Sequence, residues 1–115
     1  MELDEFSLSV VETGLKVVEE ASRRGVVLRI LGSLAAFLHC REHGDAADAI
    51  LRMGRLGEGS VFTDIDLIGY SKQRKHIIQL MRELEFDEDR MINALFGHKR
   101  LIYSKGKVKV DLFFD

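Results

Sequence analysis

Thr63-Asp64-Ile65-Asp66-Leu67-Ile68 decides how the rest of this chain is read. The run is apolar at 65, 67 and 68, and its two isoleucines favour extended backbone. On a strand, side chains two apart share a face, so Asp64 and Asp66 stand side by side while Ile65 and Leu67 turn the opposite way into a core. Adjacent carboxylates repel unless a cation lies between them. A hard divalent ion such as Mg2+, which prefers oxygen ligands and commonly brings a phosphate with it, relieves that repulsion. A third aspartate, Asp111, lies in a second run of this kind, Lys107 to Phe114. There Val108, Val110 and Leu112 share one face, and Lys109, Asp111 and Phe113 share the other.

Working upstream, residues 4 to 24 carry Leu8, Val11, Leu15 and Val18 at helical spacing, widened by Val10, Val17 and Ala21. The spacing predicts an N-terminal helix within 1–25, opened by Glu2, Asp4 and Glu5, closed by Arg23 and Arg24, and stopped at Gly25. Ser9 and Glu12 form a capping-box pattern inside it. Val26 to Leu31 then reads as a short strand, Gly32-Ser33 as a tight turn, and Leu34 to Leu38 as a helix. Over 44–60, Asp45 to Arg52 can extend a helix, but Gly54, Gly57 and Gly59 mark a flexible insertion.

Downstream of the Phe62 to Tyr70 strand, Ser71 can cap a helix running to Leu84, with Ile77, Met81 and Leu84 buried. An acidic turn at Asp87 to Asp89 follows. Lys99 to Tyr103 and Lys107 to Phe114 then flank a hairpin turn at Ser104-Lys105-Gly106. The sum is an α/β (α+β) fold with a small mixed sheet flanked by helices, in one domain with its core over 26–115.

Composition narrows the function classes. The chain has 115 residues, 46% of them hydrophobic, enough for one small core. A formal net charge of -2 gives no global attraction to nucleic acid or to a membrane surface. Its single cysteine, Cys40, excludes an intramolecular disulfide and reads as a small buried or half-buried hydrophobe. The Met-Glu-Leu-Asp-Glu start lacks the basic and apolar regions of a signal peptide, and no apolar stretch is long enough to span a bilayer. A cytoplasmic protein with no membrane partner is expected.

Strand, Gly32-Ser33, helix, an Asp64-x-Asp66 strand and a later strand bearing Asp111 form an ordered set. It resembles the DNA polymerase beta-like nucleotidyltransferase superfamily, and is most similar to its small bacterial and archaeal members, over about Leu28 to Asp115. The stretch between Gly32 and Asp64 is longer than is common there, which is what places the insertion at 44–60.

The resemblance implies a nucleotidyltransferase-type fold and a Mg2+-dependent transfer of a nucleoside monophosphate from an NTP such as ATP to an acceptor hydroxyl, with release of pyrophosphate. The acceptor would be an RNA end, a protein side chain or a small molecule. Asp64, Asp66 and Asp111 would ligate two Mg2+ ions, for which Mn2+ can substitute, and Asp111 would help to deprotonate the acceptor. Gly32 and Ser33, at a helix N-terminus, would approach the phosphates. Arg100, with Lys99 and Lys109 as alternatives, would balance phosphate charge. Similar proteins continue into further helices, so a further domain, a helical protein partner or a homo-oligomer is expected to complete the acceptor pocket. The competing reading is a non-catalytic module of the same fold in a toxin-antitoxin-like pair.

Three other motifs carry less. His39-Cys40-Arg41-Glu42-His43 matches the His-x-x-Glu-His pattern of inverted zinc peptidases, with both histidines on one helical face, but a polar helix end explains it more simply. Gly54-x-x-Gly57-x-Gly59 neither follows a clear strand nor opens a helix, so it reads as a linker. Lys72, Arg74, Lys75 and His76 read as a solvated helix face.

Overall fold

The alternation at Asp64 to Ile68 is realised as an interior strand, second from one edge, of a five-stranded sheet. In this computed structural model, which describes residues 3–41, 43–45, 48 and 62–115, the elements in chain order begin with α1 (Glu5–Arg23), β1 (Leu28–Leu31), α2 (Gly32–Cys40) and β2 (Asp64–Gly69). A 3-10 turn at Ser71–Gln73 leads into α3 (Arg74–Glu83), and β3 (Asp87–Glu88), α4 (Arg90–Phe96), β4 (Arg100–Lys105) and β5 (Val108–Phe114) complete the order. Strand order across the sheet is β1-β2-β5-β4-β3. β2 and β5 run parallel, and the other neighbours are antiparallel. The expected mixed sheet flanked by helices is therefore observed. Of the expected insertion, 46–47 and 49–60 lie outside the described residues, and with them Gly54, Gly57 and Gly59.

Registers turn the sequence alternation into rows that cross the sheet. Ile30, Leu67, Leu112 and Leu101 form one row on the core face, where Leu67 and Leu112 are fully buried. The next row, Leu31, Asp66, Asp111 and Ile102, lies on the opposite face. On the core side α1 and α3 bring Val10, Val17, Ala21, Ile77, Leu80 and Met81 into one cluster with Ile65, Leu67, Val110 and Leu112. Burial of each large apolar side chain there contributes about 1.5–3 kcal/mol.

The buried stripe of α1 differs from the expected one. Ser7, Val10, Gly14, Val17 and Ala21 face the core together with Val11, whereas Leu8 is 45% exposed and Leu15 and Val18 only flank the cluster. Two small residues set this rotation. Ser7 Oγ donates to the Phe62 carbonyl (3.4 Å) and accepts from the Phe62 N–H (2.9 Å), while Gly14 lets Leu34, Ile30 and Ile65 come within 3.5 to 3.7 Å of where a Cβ would stand. The cap is Asp4, whose carboxylate accepts from Ser7 N–H (3.0 Å). The expected capping box is not formed, because Ser9 Oγ bonds the Phe6 carbonyl instead.

Strand and helix limits shift for similar local reasons. β1 starts at Leu28 rather than Val26, since Val26 N–H bonds Ala21 O and Val27 N–H bonds the Gln73 side chain. Ser71 does not cap α3: its N–H meets the Asp115 carbonyl, and the 3-10 turn intervenes. Leu80 joins Ile77 and Met81 on the buried face of α3, and Leu84 is only half-buried.

The expected acidic turn is instead β3, which pairs Asp87 with Ser104 and Glu88 with Tyr103, followed by α4, capped by Asp89 through Ile92 N–H (3.1 Å). Asn93 of α4 carries the edge further, its amide exchanging two hydrogen bonds (2.7 and 3.2 Å) with the Ile102 backbone. The hairpin closes through Gly106-Lys107, with Gly106 at φ +61 and Lys105 paired to Val108. Among the described residues no helix is long and apolar enough to cross a membrane.

Candidate functional site

Asp66 and Asp111 are partners in the parallel β2–β5 register, and Asp64 stands beside Lys109 one step along the same face. Ile65, Leu67, Val110 and Leu112, all buried, point the other way, so core packing on one face holds the carboxylates on the other. Asp64 is exposed, Asp66 half-buried, and Asp111 only 8% exposed.

The third strand of the site supplies a cation. Arg100, at the start of β4, pairs with Phe113 in register and donates from Nη2 to Asp111 Oδ1 at 3.0 Å, with its guanidinium 5.5 Å from the centre of the Phe113 ring. Burial pushes the Asp66 carboxyl above the ordinary carboxylate value, and repulsion from Asp111 and Asp64 adds to the rise, while Arg100 and Lys109 oppose it. The cluster thus holds more negative charge than its two cations neutralise.

β1 brings the Gly32-Ser33 turn to the same place. Leu31 is the antiparallel partner of Asp66, and the chain enters α2 at Gly32 with φ +75. A Cβ on Gly32 would stand 3.6 Å from Asp66 Oδ2. Gly32 and Ser33 are exposed, and no side chain caps the first turn of α2. The structure therefore gathers Asp64, Asp66, Asp111, Gly32 and Arg100 around one patch of the sheet face opposite the core, with Ser33 next to Gly32 in the first turn of α2. Lys99, one residue before β4, is exposed, and no side-chain hydrogen bond or ion pair ties it to the cluster.

Donor chemistry fits a hard divalent cation: three carboxylates supply oxygen ligands, and a cation among them would relieve the repulsion felt by Asp66. Among the described residues, no group of three or more His, Cys, Asp or Glu side chains stands together closely enough to hold a metal ion as the side chains lie, and Asp111 is engaged by Arg100. Two surface hollows formed by described residues lie away from the cluster. One of about 380 Å³ is lined by Leu15, Val18, Leu28, Ile30 and Leu38 among others, and one of about 200 Å³ includes Arg29, Ile68, Tyr70 and Asp115.

The remaining motif expectations resolve as follows. α2 ends at Cys40, so His39 and His43 do not share a helical face, and Glu42 lies outside the described residues. Arg74 is not part of a freely solvated face: it bonds the Gly97 carbonyl and stacks on Phe114 (5.1 Å), tying the start of α3 to the end of α4. Lys75 and His76 are exposed as expected, and Lys72 sits over Tyr70 (5.4 Å). Sequence reading missed the Arg100 and Asp111 pair, although a two-residue hairpin loop places these residues diagonally across adjacent strands. Comparisons with protein-family models, with curated proteins and with solved structures found no match.

Proposed function

We propose that this chain is a Mg2+-dependent nucleotidyltransferase that moves a nucleoside monophosphate from an NTP to an acceptor hydroxyl and releases pyrophosphate. One observation carries the reading: the uncapped N-terminal turn of α2 lies against the carboxylate cluster, with the Gly32 Cβ position 3.6 Å from Asp66. A phosphate-binding helix end and a metal-binding carboxylate set are of use together only to a ligand that carries both phosphate and metal.

In this reading Asp64, Asp66 and Asp111 would hold Mg2+, which when bound supplies charge stabilisation at the transferring phosphorus. Gly32 lets the backbone amides of the first turn approach the triphosphate, and Ser33 adds a hydroxyl donor. Arg100 and Lys109 offset the charge of the phosphates. Asp111, the most buried of the three, accepts the proton of the acceptor hydroxyl. A helical partner or a second copy would complete the acceptor side.

The Arg100 and Asp111 ion pair favours a second reading, a non-catalytic module of the same fold whose third carboxylate is permanently neutralised. Thermal shift with each NTP, with and without Mg2+, on the wild type and the Asp64→Ala, Asp66→Ala double variant decides between them. A Mg2+-dependent rise, about 2.7 kcal/mol at a hundredfold excess over Kd, that the variant loses is expected. No rise with any nucleotide would leave the non-catalytic module.

A further inference from the structure

We propose that Arg100 is a displaceable placeholder for the divalent cation, holding Asp111 in the ligand-free protein and passing to the phosphates when metal and nucleotide arrive. The proposal rests on the nucleotidyltransferase reading and concerns how its site is held before substrate binds.

Four observations carry it. Asp111 is 8% exposed, and a buried ionised carboxylate without a partner is costly, so a cation beside it stabilises its charged form. The partner present is Arg100, on the strand next to Asp111 and at hydrogen-bond distance from one of its oxygens. The pair is unsaturated: only Nη2 engages the carboxylate, and Nε is buried with no hydrogen-bond partner among the described residues. The tighter bidentate Arg–carboxylate fork is not formed, so less holds the guanidinium in place. Finally, the Arg100 side chain is 41% exposed against 12% for that of Asp111, so the arginine can leave toward solvent while the aspartate stays. Phe113, under the guanidinium, gives it a surface on which to pivot.

Charge removal by itself would also tighten cation binding, so the test needs a matched control. Lys109 faces the same cluster and, like Arg100, opposes the rise of the Asp66 carboxyl, yet it makes no ion pair with Asp111. Mn2+ is titrated into wild type, Arg100→Gln and Lys109→Gln by electron paramagnetic resonance, and the thermal shift with ATP and Mg2+ is read on the same proteins. Arg100→Gln should bind Mn2+ at least about threefold more tightly than Lys109→Gln, as expected from freeing a half-exposed ion pair, while its ATP response falls. Arg100→Lys, which keeps the charge but gives up the planar fork, should lie between wild type and Arg100→Gln. Equal effects in the two Gln variants, or weaker Mn2+ binding in Arg100→Gln, would overturn the proposal alone. No Mn2+ bound by any of these proteins would remove the proposal and the reading beneath it.

Discussion

Asp66 sits where burial and two neighbouring carboxylates make its ionised form costly, and the direction of that shift has a consequence for stability. Its folded-state pKa lies above the value in the unfolded chain, so over that interval the folded state holds more protons. The carboxyl therefore contributes stability that is fully present below the unfolded value of about 3.9 and is lost as pH rises through the raised one. Asp66→Asn, which keeps the shape and removes the charge, should raise the melting midpoint at neutral pH, and the gain should vanish when melting is repeated in acid below pH 3.9. A midpoint that is unchanged or lower at pH 7 would show that the cations already neutralise the cluster. The aspartates themselves were legible because alternation on a strand exposes a polar residue's face directly. Ser7 and Gly14 were not: each is buried for what it lets approach, a backbone pair at Phe62 or the side chains of Leu34, Ile30 and Ile65, and an apolar count registers neither.

Between β2 and α3, the limiting contact is at Gly69. A Cβ there would lie 2.6 Å from Ile77 Cδ1 and 3.0 Å from Leu28 Cδ2, so the last residue of β2 is a glycine because α3 and β1 both close onto it. Gly69→Ala must displace Ile77, itself fully buried, at a cost of about 1–3 kcal/mol. The measurement is a urea midpoint that falls with unchanged m, and no change would mean that Ile77 finds another rotamer at no cost. At this scale β1, β2, β4, β5 and the long helices were legible from period, but β3 was read as a turn and the hairpin loop was misjudged by one residue. A three-residue turn at 104–106 would pair 103 with 107 and set Lys99 opposite Asp111. The loop at Gly106-Lys107 pairs Lys105 with Val108 and sets Ile102 there, which brings Arg100 within reach of the carboxylate. α4 was hidden for a different reason: Met91 (74% exposed) and Leu95 (66%) face outward, so its apolar residues mark no buried stripe.

At the scale of the molecule, the candidate site is a product of the whole sheet. Asp66 and Asp111 meet only because β5 inserts between β2 and β4, and the core row of Ile30, Leu67, Leu112 and Leu101 holds those strands from the opposite face. Stability and binding should accordingly separate by face. Leu112→Ala removes a fully buried side chain at a cost of about 2–5 kcal/mol, a large share of the roughly 5–15 kcal/mol of a typical domain. Its melting midpoint should fall well below that of the wild type, yet wherever the protein remains folded, the increment produced by ATP and Mg2+ should persist, since Leu112 does not share the face of the carboxylates. The Asp64→Ala, Asp66→Ala variant should do the reverse and lose the increment without the fall. Calorimetric melts of both variants with and without ATP and Mg2+ make the comparison. If folded Leu112→Ala lost the increment as well, core packing would be setting the position of β5 finely enough to decide whether Asp111 and Asp66 can share a cation.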